Sequence, residues 1–199
     1  MKQDLWGDLE MKPAEIKIDD SVVLDTLLRA VRLAQAERPR IGVTNAHEWA
    51  ATGRIAMWLA RQQEIIDLEQ HGIFVDVEYG QMSVAELTTV CGGDRRIDMT
   101  IRMRGNDTHN LLALEVKLND RNPQKVTPND DLKLKELTRE FQFRQGIWIR
   151  LPRTDHARHE GWYAVYKGGK MVDLKAVVPE SPTSRRRSRP SAEATAGLQ

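Results

Sequence analysis

The class this sequence predicts is a single α/β domain, and three observations predict it. An apolar stripe at helical spacing starts at Asp20. Strict two-residue alternation runs through "RIDMTIRM", residues 96–103, and the helical period returns in "DDLKLKELTREFQFR" just before the short apolar run "GIWIRL". Helix and strand patterns therefore interleave along 199 residues, a length that suits one core-bearing domain with extensions.

Residues 1–18 carry no sustained periodicity and read as an N-terminal arm, leaving 19–178 as the domain. In the first helix Val23, Leu27, Leu28, Val31 and Ala34 form one stripe, and Arg38-Pro39-Arg40 is the expected stop. A second helix is expected from Thr44 or Asn45, both good N-caps, through to His71-Gly72, with Trp49, Ile55, Trp58, Leu59 and Ile66 as its apolar side. "GIFVDVEYG" reads as a strand, and residues 80–95 as a polar loop or short helix holding Cys91. Two strand-like runs flank "GNDTHN" in a β-hairpin. A helix then follows, with Leu134, Leu137 and Phe141 inward and Asn129 or Asp130 as cap. "GIWIRL" is a buried strand, and "GWYAVYKGGKMVDLKAV" a second hairpin turning at Gly168-Gly169. The last segment, 179–199, is rich in Ser, Pro and Arg with almost no bulky apolar residue, and is expected to be a disordered basic tail. Trp6, Trp49, Trp58, Trp148 and Trp162 mostly occupy apolar periodic positions and read as core.

Thirty Lys and Arg against 29 Asp and Glu give a formal charge of +1, so overall charge points to no partner and any nucleic-acid site has to be local. One cysteine excludes an intramolecular disulfide and a multi-cysteine zinc site. With no apolar run long enough for a membrane span or a signal peptide, a cytoplasmic protein without membrane attachment is expected.

The chemistry concentrates in the first hairpin. Ile97, Met99, Ile101 and Met103 are expected on one face of the first strand, together with Leu112, Leu114, Val116 and Leu118 of the second. Asp98 then shares the other face with Leu111, Ala113, Glu115 and Lys117. A turn centred between Asp107 and Thr108 sets Asp98 opposite Lys117 and diagonal to Glu115, with a register shifted by two as the alternative. Two converging carboxylates repel unless a cation joins them, and hard oxygen donors suit Mg²⁺, with Mn²⁺ as a substitute. An adjacent ammonium would orient or deprotonate a metal-bound water, or stabilise charge in phosphodiester hydrolysis. The same residues also admit a plain cross-strand ion pair of Asp98 with Lys117 and a solvated Glu115.

An Asp at a strand start, a hairpin, then Glu115-Val116-Lys117 resembles the PD-(D/E)xK nuclease superfamily, with Ile97 where a proline often precedes the Asp. The chain further resembles a group of small bacterial nuclease-like proteins over about residues 44–150, in the order "EWAATGRIAMWL", "VDVEYG", "RRIDMTIRMRG", "NLLALEVK", "DDLKLKELT" and "GIWI". The resemblance implies a restriction-endonuclease-like mixed central sheet flanked by helices, and a Mg²⁺-dependent nuclease acting on DNA. It implies metal ligation by Asp98, Glu115 and the Val116 carbonyl, completed by Glu48 from the preceding helix, with Lys117 acting on water or developing charge. Duplex cleavage by such folds often uses two subunits, so a homodimer is a further expectation. The alternative is a catalytically inactive module of this fold that binds nucleic acid or a partner protein.

Arg102, Arg104, Arg121, Lys125, Lys133 and Lys135 flank the hairpin and are candidate phosphate contacts; each is equally a solvated surface charge, as "SRRRSRP" is equally a solubilising end. Glu78 is a candidate neighbour of the patch or an exposed strand acid. Glu48 is equally a first-turn acid favoured by the helix dipole. His47-Glu48 resembles the start of a zinc protease motif, but Ala51 stands where the second histidine is needed. Cys91 with His109 has nothing that fixes their proximity.

Overall fold

An amphipathic strand and an amphipathic helix each hide an apolar face only by covering another element, and here both faces of one sheet are covered. The computed structural model describes residues 18–41, 48–77, 97–104, 109–118, 125–152 and 161–177. Outside them lie most of the N-terminal arm, Thr44 and Asn45, Glu78, the 80–95 segment with Cys91, the turn residues 105–108, Arg121 and the tail. The elements are α1 (Asp20–Ile41), α2 (Glu48–Leu59), α3 (Gln63–Glu69), β1 (Ile73–Val77), β2 (Met99–Met103), β3 (Asn110–Leu118), α4 (Pro128–Arg139), β4 (Gln145–Leu151), β5 (Gly161–Lys167) and β6 (Lys170–Val177). The class is α/β, with a six-stranded mixed sheet in the order β1-β2-β3-β4-β5-β6. Strands β3 and β4 run parallel, joined through α4; the other four pairings are antiparallel. Among the described residues no helix is long and apolar enough to cross a membrane.

Alternation divides the sheet between two cores. Leu112, Leu114, Val116, Ile147 and Ile149 face Leu27, Val31, Ile55, Leu59 and Ile65 of α1, α2 and α3. Ala113, Trp148, Ala164 and Tyr166 face Leu134 and Leu137 of α4. α4 lies so close that a Cβ on Gly146 would stand 3.1 Å from Thr138 and 3.3 Å from Leu134 and Tyr166. The expected α1 stripe is buried as read. The helix runs on to Ile41 past Pro39, the scale on which helix ends ordinarily vary.

Several expectations are corrected. The long second helix is two helices, because Gln62 takes an extended backbone and turns its side-chain amide onto the Trp58 carbonyl at 3.0 Å. The break rotates Ile65 and Leu68 inward and leaves Ile66 exposed, so one period does not run from Trp49 to Ile66. Trp148 is fully buried and Trp58 and Trp162 partly so, while Trp49 is 65% exposed. Ile97 packs with Leu134 and Trp148, on the face opposite Met99 and Ile101. The chain bends at Asp98, so strand alternation starts only after it. Met99 pairs with Leu114 and Ile101 with Leu112, which is the register shifted by two. Phe141 packs partly against the α4 core as expected, and Phe143, delivered by a positive φ of 54° at Gln142, is buried within it.

The α4 cap is Thr127, not Asn129 or Asp130. Pro128 occupies the first helical position, where its missing N–H costs nothing, and Thr127 Oγ1 accepts from the Asp130 N–H at 3.2 Å. Thr127→Ala is expected to lower stability by about 1 kcal/mol. Urea unfolding reads this directly, and an unchanged midpoint would show the cap to contribute nothing.

Candidate functional site

The site stands at the carboxyl end of β3, the first strand of the parallel pair, a position where open α/β sheets commonly bind ligands. Asp98 occupies the bend before β2, and its Oδ2 accepts the Val116 N–H at 2.7 Å. The Met99–Leu114 pairing sets Asp98 beside Glu115. Burial, and after it repulsion from Glu115, push the Asp98 carboxyl up to about 6, against the opposing pull of the Val116 N–H.

Alternation turns Glu115 toward α4, where it is 4% exposed. Lys117 Nζ donates to its Oε1 at 2.9 Å, and Lys133 Nζ, one helical turn into α4, donates to its Oε2 at 2.5 Å. Lys117 also faces Glu48 Oε2 at 3.5 Å and Asp130 Oδ1 at 3.9 Å. Burial by itself would lower the Lys117 ammonium, but Glu115, then Asp130 and Glu48, outweigh it and hold the group above the ordinary lysine range. Lys117 therefore stays charged. As an ammonium it suits charge stabilisation and water orientation.

Glu48 reaches in from the first turn of α2, where its Oε1 accepts the Leu118 N–H at 3.3 Å. Its side chain is thus tied to the end of β3 as well as favoured by the helix dipole. Val116, whose carbonyl the resemblance assigns to a metal, is fully buried between Glu115 and Lys117.

No family model, curated protein or solved structure matches this chain. The site therefore has to be read from its own chemistry. Among the described residues, no three Asp, Glu, His or Cys side chains form a set able to hold a metal ion. Asp98 and Glu115 still offer hard oxygen donors, and Mg²⁺ is typically held by only one or two carboxylates, with waters and phosphate completing its shell. Burial raises the Asp98 carboxyl first and Glu115 second, and a cation between the two carboxylates would relieve the second of these. In that respect the residues fit the ion.

The expected phosphate contacts separate into different places. Lys133 is buried against Glu115 and belongs to the site's interior. Arg102 and Arg104 both pair with Asp76 on β1, and Arg104 stacks over Phe74 at 4.7 Å. Asp76 is the register partner of Thr100, two residues from Asp98, so these arginines are engaged by a carboxylate on the strand beside it. Lys135 pairs with Asp131 at 2.7 Å within α4. Lys125 is exposed shortly before α4, and Arg121 falls outside the described residues.

Two site residues escaped the sequence reading. Asp130 is buried, accepts the Thr127 hydroxyl at 2.8 Å and faces Lys117. Its signal was the Thr127-x-x-Asp130 capping pattern, which accounts for one carboxylate oxygen and leaves the other to the site. Arg150, 4% exposed, is the β4 register partner of Lys117 and so shares its face. Its signal was a charge inside the apolar run "GIWIRL".

Proposed function

We propose that this chain is a divalent-metal-dependent nuclease of restriction-endonuclease-like fold that hydrolyses phosphodiester bonds in DNA. The observation that carries the reading is the convergence of Asp98, Glu115 and Lys117, from a bend and a strand end, on one charged patch. One linked set of contacts around Lys117 and Glu115 holds three carboxyl groups, Glu48, Glu115 and Asp130, and two ammoniums, with Asp98 adjacent as a fourth carboxyl. Four acids stand against two amines and the Arg150 guanidinium on the same face, a remaining excess that favours a cation beside Asp98.

Asp98 and Glu115 would hold Mg²⁺, with the Val116 carbonyl and Glu48 as further oxygen donors, and the ion would activate water and polarise the phosphate. Lys133 keeps Glu115 oriented from α4 while Lys117 turns toward the phosphate. The Lys117 ammonium then stabilises the charge that grows on the phosphoryl and leaving oxygens.

Titration of Mg²⁺ and Mn²⁺ into the parent protein and an Asp98→Ala/Glu115→Ala variant, followed by calorimetry and by cleavage of plasmid and single-stranded DNA, tests this. Binding and cleavage should disappear together in the variant. A parent that binds neither ion overturns the reading.

A second reading, a noncatalytic module that binds nucleic acid or a partner protein, is favoured by one observation: both Glu115 oxygens are already engaged by ammoniums. It predicts DNA or protein binding indifferent to both metal and Asp98.

A further inference from the structure

The sheet ends on β6, and no described residue pairs with the outer edge of that strand. It carries side chains that a solvated edge has no use for: Met171, Val172 and Leu174 are all exposed, Val172 at 57%. Val172 falls in the bulge and has no partner on β5, whereas Asp173 to Val177 pair regularly with Val165 to Gly161. Leu174 stands opposite Ala164, on the α4 side of the sheet, while Asp173 and Lys175 stand opposite Val165 and Tyr163, on the α1 side. A lysine commonly guards such an edge, but Lys175 is matched by Asp173, which it reaches at 2.5 Å, and the strand holds no proline. An edge of this kind is open to a further strand.

The charges choose which strand fits. Reading outward from Leu174, Asp173 and Lys175 carry opposite charges, Val172 and Ala176 are both apolar, and so are Met171 and Val177. When two copies of one strand pair antiparallel about a two-fold axis, one residue faces itself and the residues flanking it exchange places. Centred on Asp173 or on Lys175, that pairing sets like charges directly opposite, which is destabilising. Centred on Leu174, it sets the two leucines together on the α4 side and Asp173 opposite the partner's Lys175, twice, on the α1 side. The apolar strip is then covered, and each carboxylate has an ammonium both along its own strand and across the axis.

We propose that β6 is a homodimer interface, in which two copies of this chain join edge to edge, antiparallel and centred on Leu174, so that two six-stranded sheets become one. A two-fold contact closes on itself, so association stops at two. One strand pair is a small interface, which sets the expected dissociation constant at about 1–100 µM. Asp98, Glu115 and Lys117, on the far side of β4 and β5, take no part in it.

Sedimentation velocity of the full chain over a concentration series tests this, with the parent, Asp173→Lys, Lys175→Asp and the exchanged double variant Asp173→Lys/Lys175→Asp. Each single variant faces like charges across the axis and is expected to dimerise at least about ten-fold more weakly. An equimolar mixture of the two single variants restores opposite charges at both places, so it should dimerise about as tightly as the parent, and the double variant should do the same. Far-UV circular dichroism of every variant should match the parent's, because both side chains reach solvent and neither belongs to the core. A parent that stays monomeric up to about 300 µM overturns the proposal and leaves the edge to a strand of another protein. Single variants that dimerise like the parent overturn it too, as do a mixture that fails to recover the dimer and a parent that assembles beyond two.

Discussion

Asp98→Asn is expected to cut metal-dependent cleavage by about 10²- to 10³-fold or more and, at the same time, to make the metal-free protein more stable above pH 6. Asparagine keeps an oxygen for the Val116 N–H, which Asp98 now accepts at 2.7 Å, so the local backbone has no reason to move. What it loses is the charge, which the proposed ion needs and which the fold bears at a cost. Burial and Glu115 raise this carboxyl from 3.8 to about 6. The folded chain therefore binds its proton more tightly than the unfolded chain does, and stability falls as pH rises from about 4 through 6. Parent and variant should unfold at similar urea concentrations near pH 4 and diverge toward pH 8, with the variant ahead. Mg²⁺ should then raise the parent's midpoint and leave that of Asp98→Asn unmoved. A variant less stable than the parent at pH 8, or one that still cleaves, would remove Asp98 from the role assigned to it.

The largest stability effect is expected at Glu115. Its carboxylate holds Lys117 and the buried Lys133. Glu115→Ala leaves an ammonium in the α4 interface without its counterion, a change that typically costs about 3–5 kcal/mol. Against the roughly 5–15 kcal/mol that holds a domain of ordinary size together, that is a large share. The cost comes from an uncompensated charge more than from the lost attraction, so Glu115→Leu combined with Lys133→Met should recover most of it. Urea unfolding of the single and double variants reads the difference. A cost below about 1 kcal/mol for Glu115→Ala would mean that solvent already serves Lys133.

Much of the fold was legible because its elements are strongly periodic. The stripe of α1, the alternation in β2 and β3, the Gly168-Gly169 hairpin and the "GIWIRL" strand are all where pattern sets them. Pattern failed where a local event interrupts it. The extended backbone at Gln62 divides one apolar period into two helices, and the bend at Asp98 sends Ile97 to the far core. Neither is written in residue type, since both are settled by which arrangement buries Ile65 and Ile97.

The site was half legible for a similar reason. Strand alternation alone brought Asp98, Glu115 and Lys117 to one patch, since those residues share one short hairpin. Lys133 and Asp130 belong to a helix that follows by a parallel crossover. No sequence period relates a helix to a strand across that connection, so Lys133 read as a candidate phosphate contact or a surface charge, and Asp130 as a cap.

The sheet's spatial order repeats the order of its strands in the chain. A ribosome releasing this protein thus delivers each strand to a neighbour already made, and the β3-to-β4 step requires a helix to be laid down first. The apolar stripe of α1 is in a different position. Leu27 and Val31 emerge more than a hundred residues before Tyr163 and Val165 complete their core, an interval of roughly 10 s at ordinary rates of synthesis. For that whole interval the stripe is covered only in part, first by α2 and then by the strands as they arrive. It is during this interval that the nascent chain shows the apolar surface on which aggregation starts.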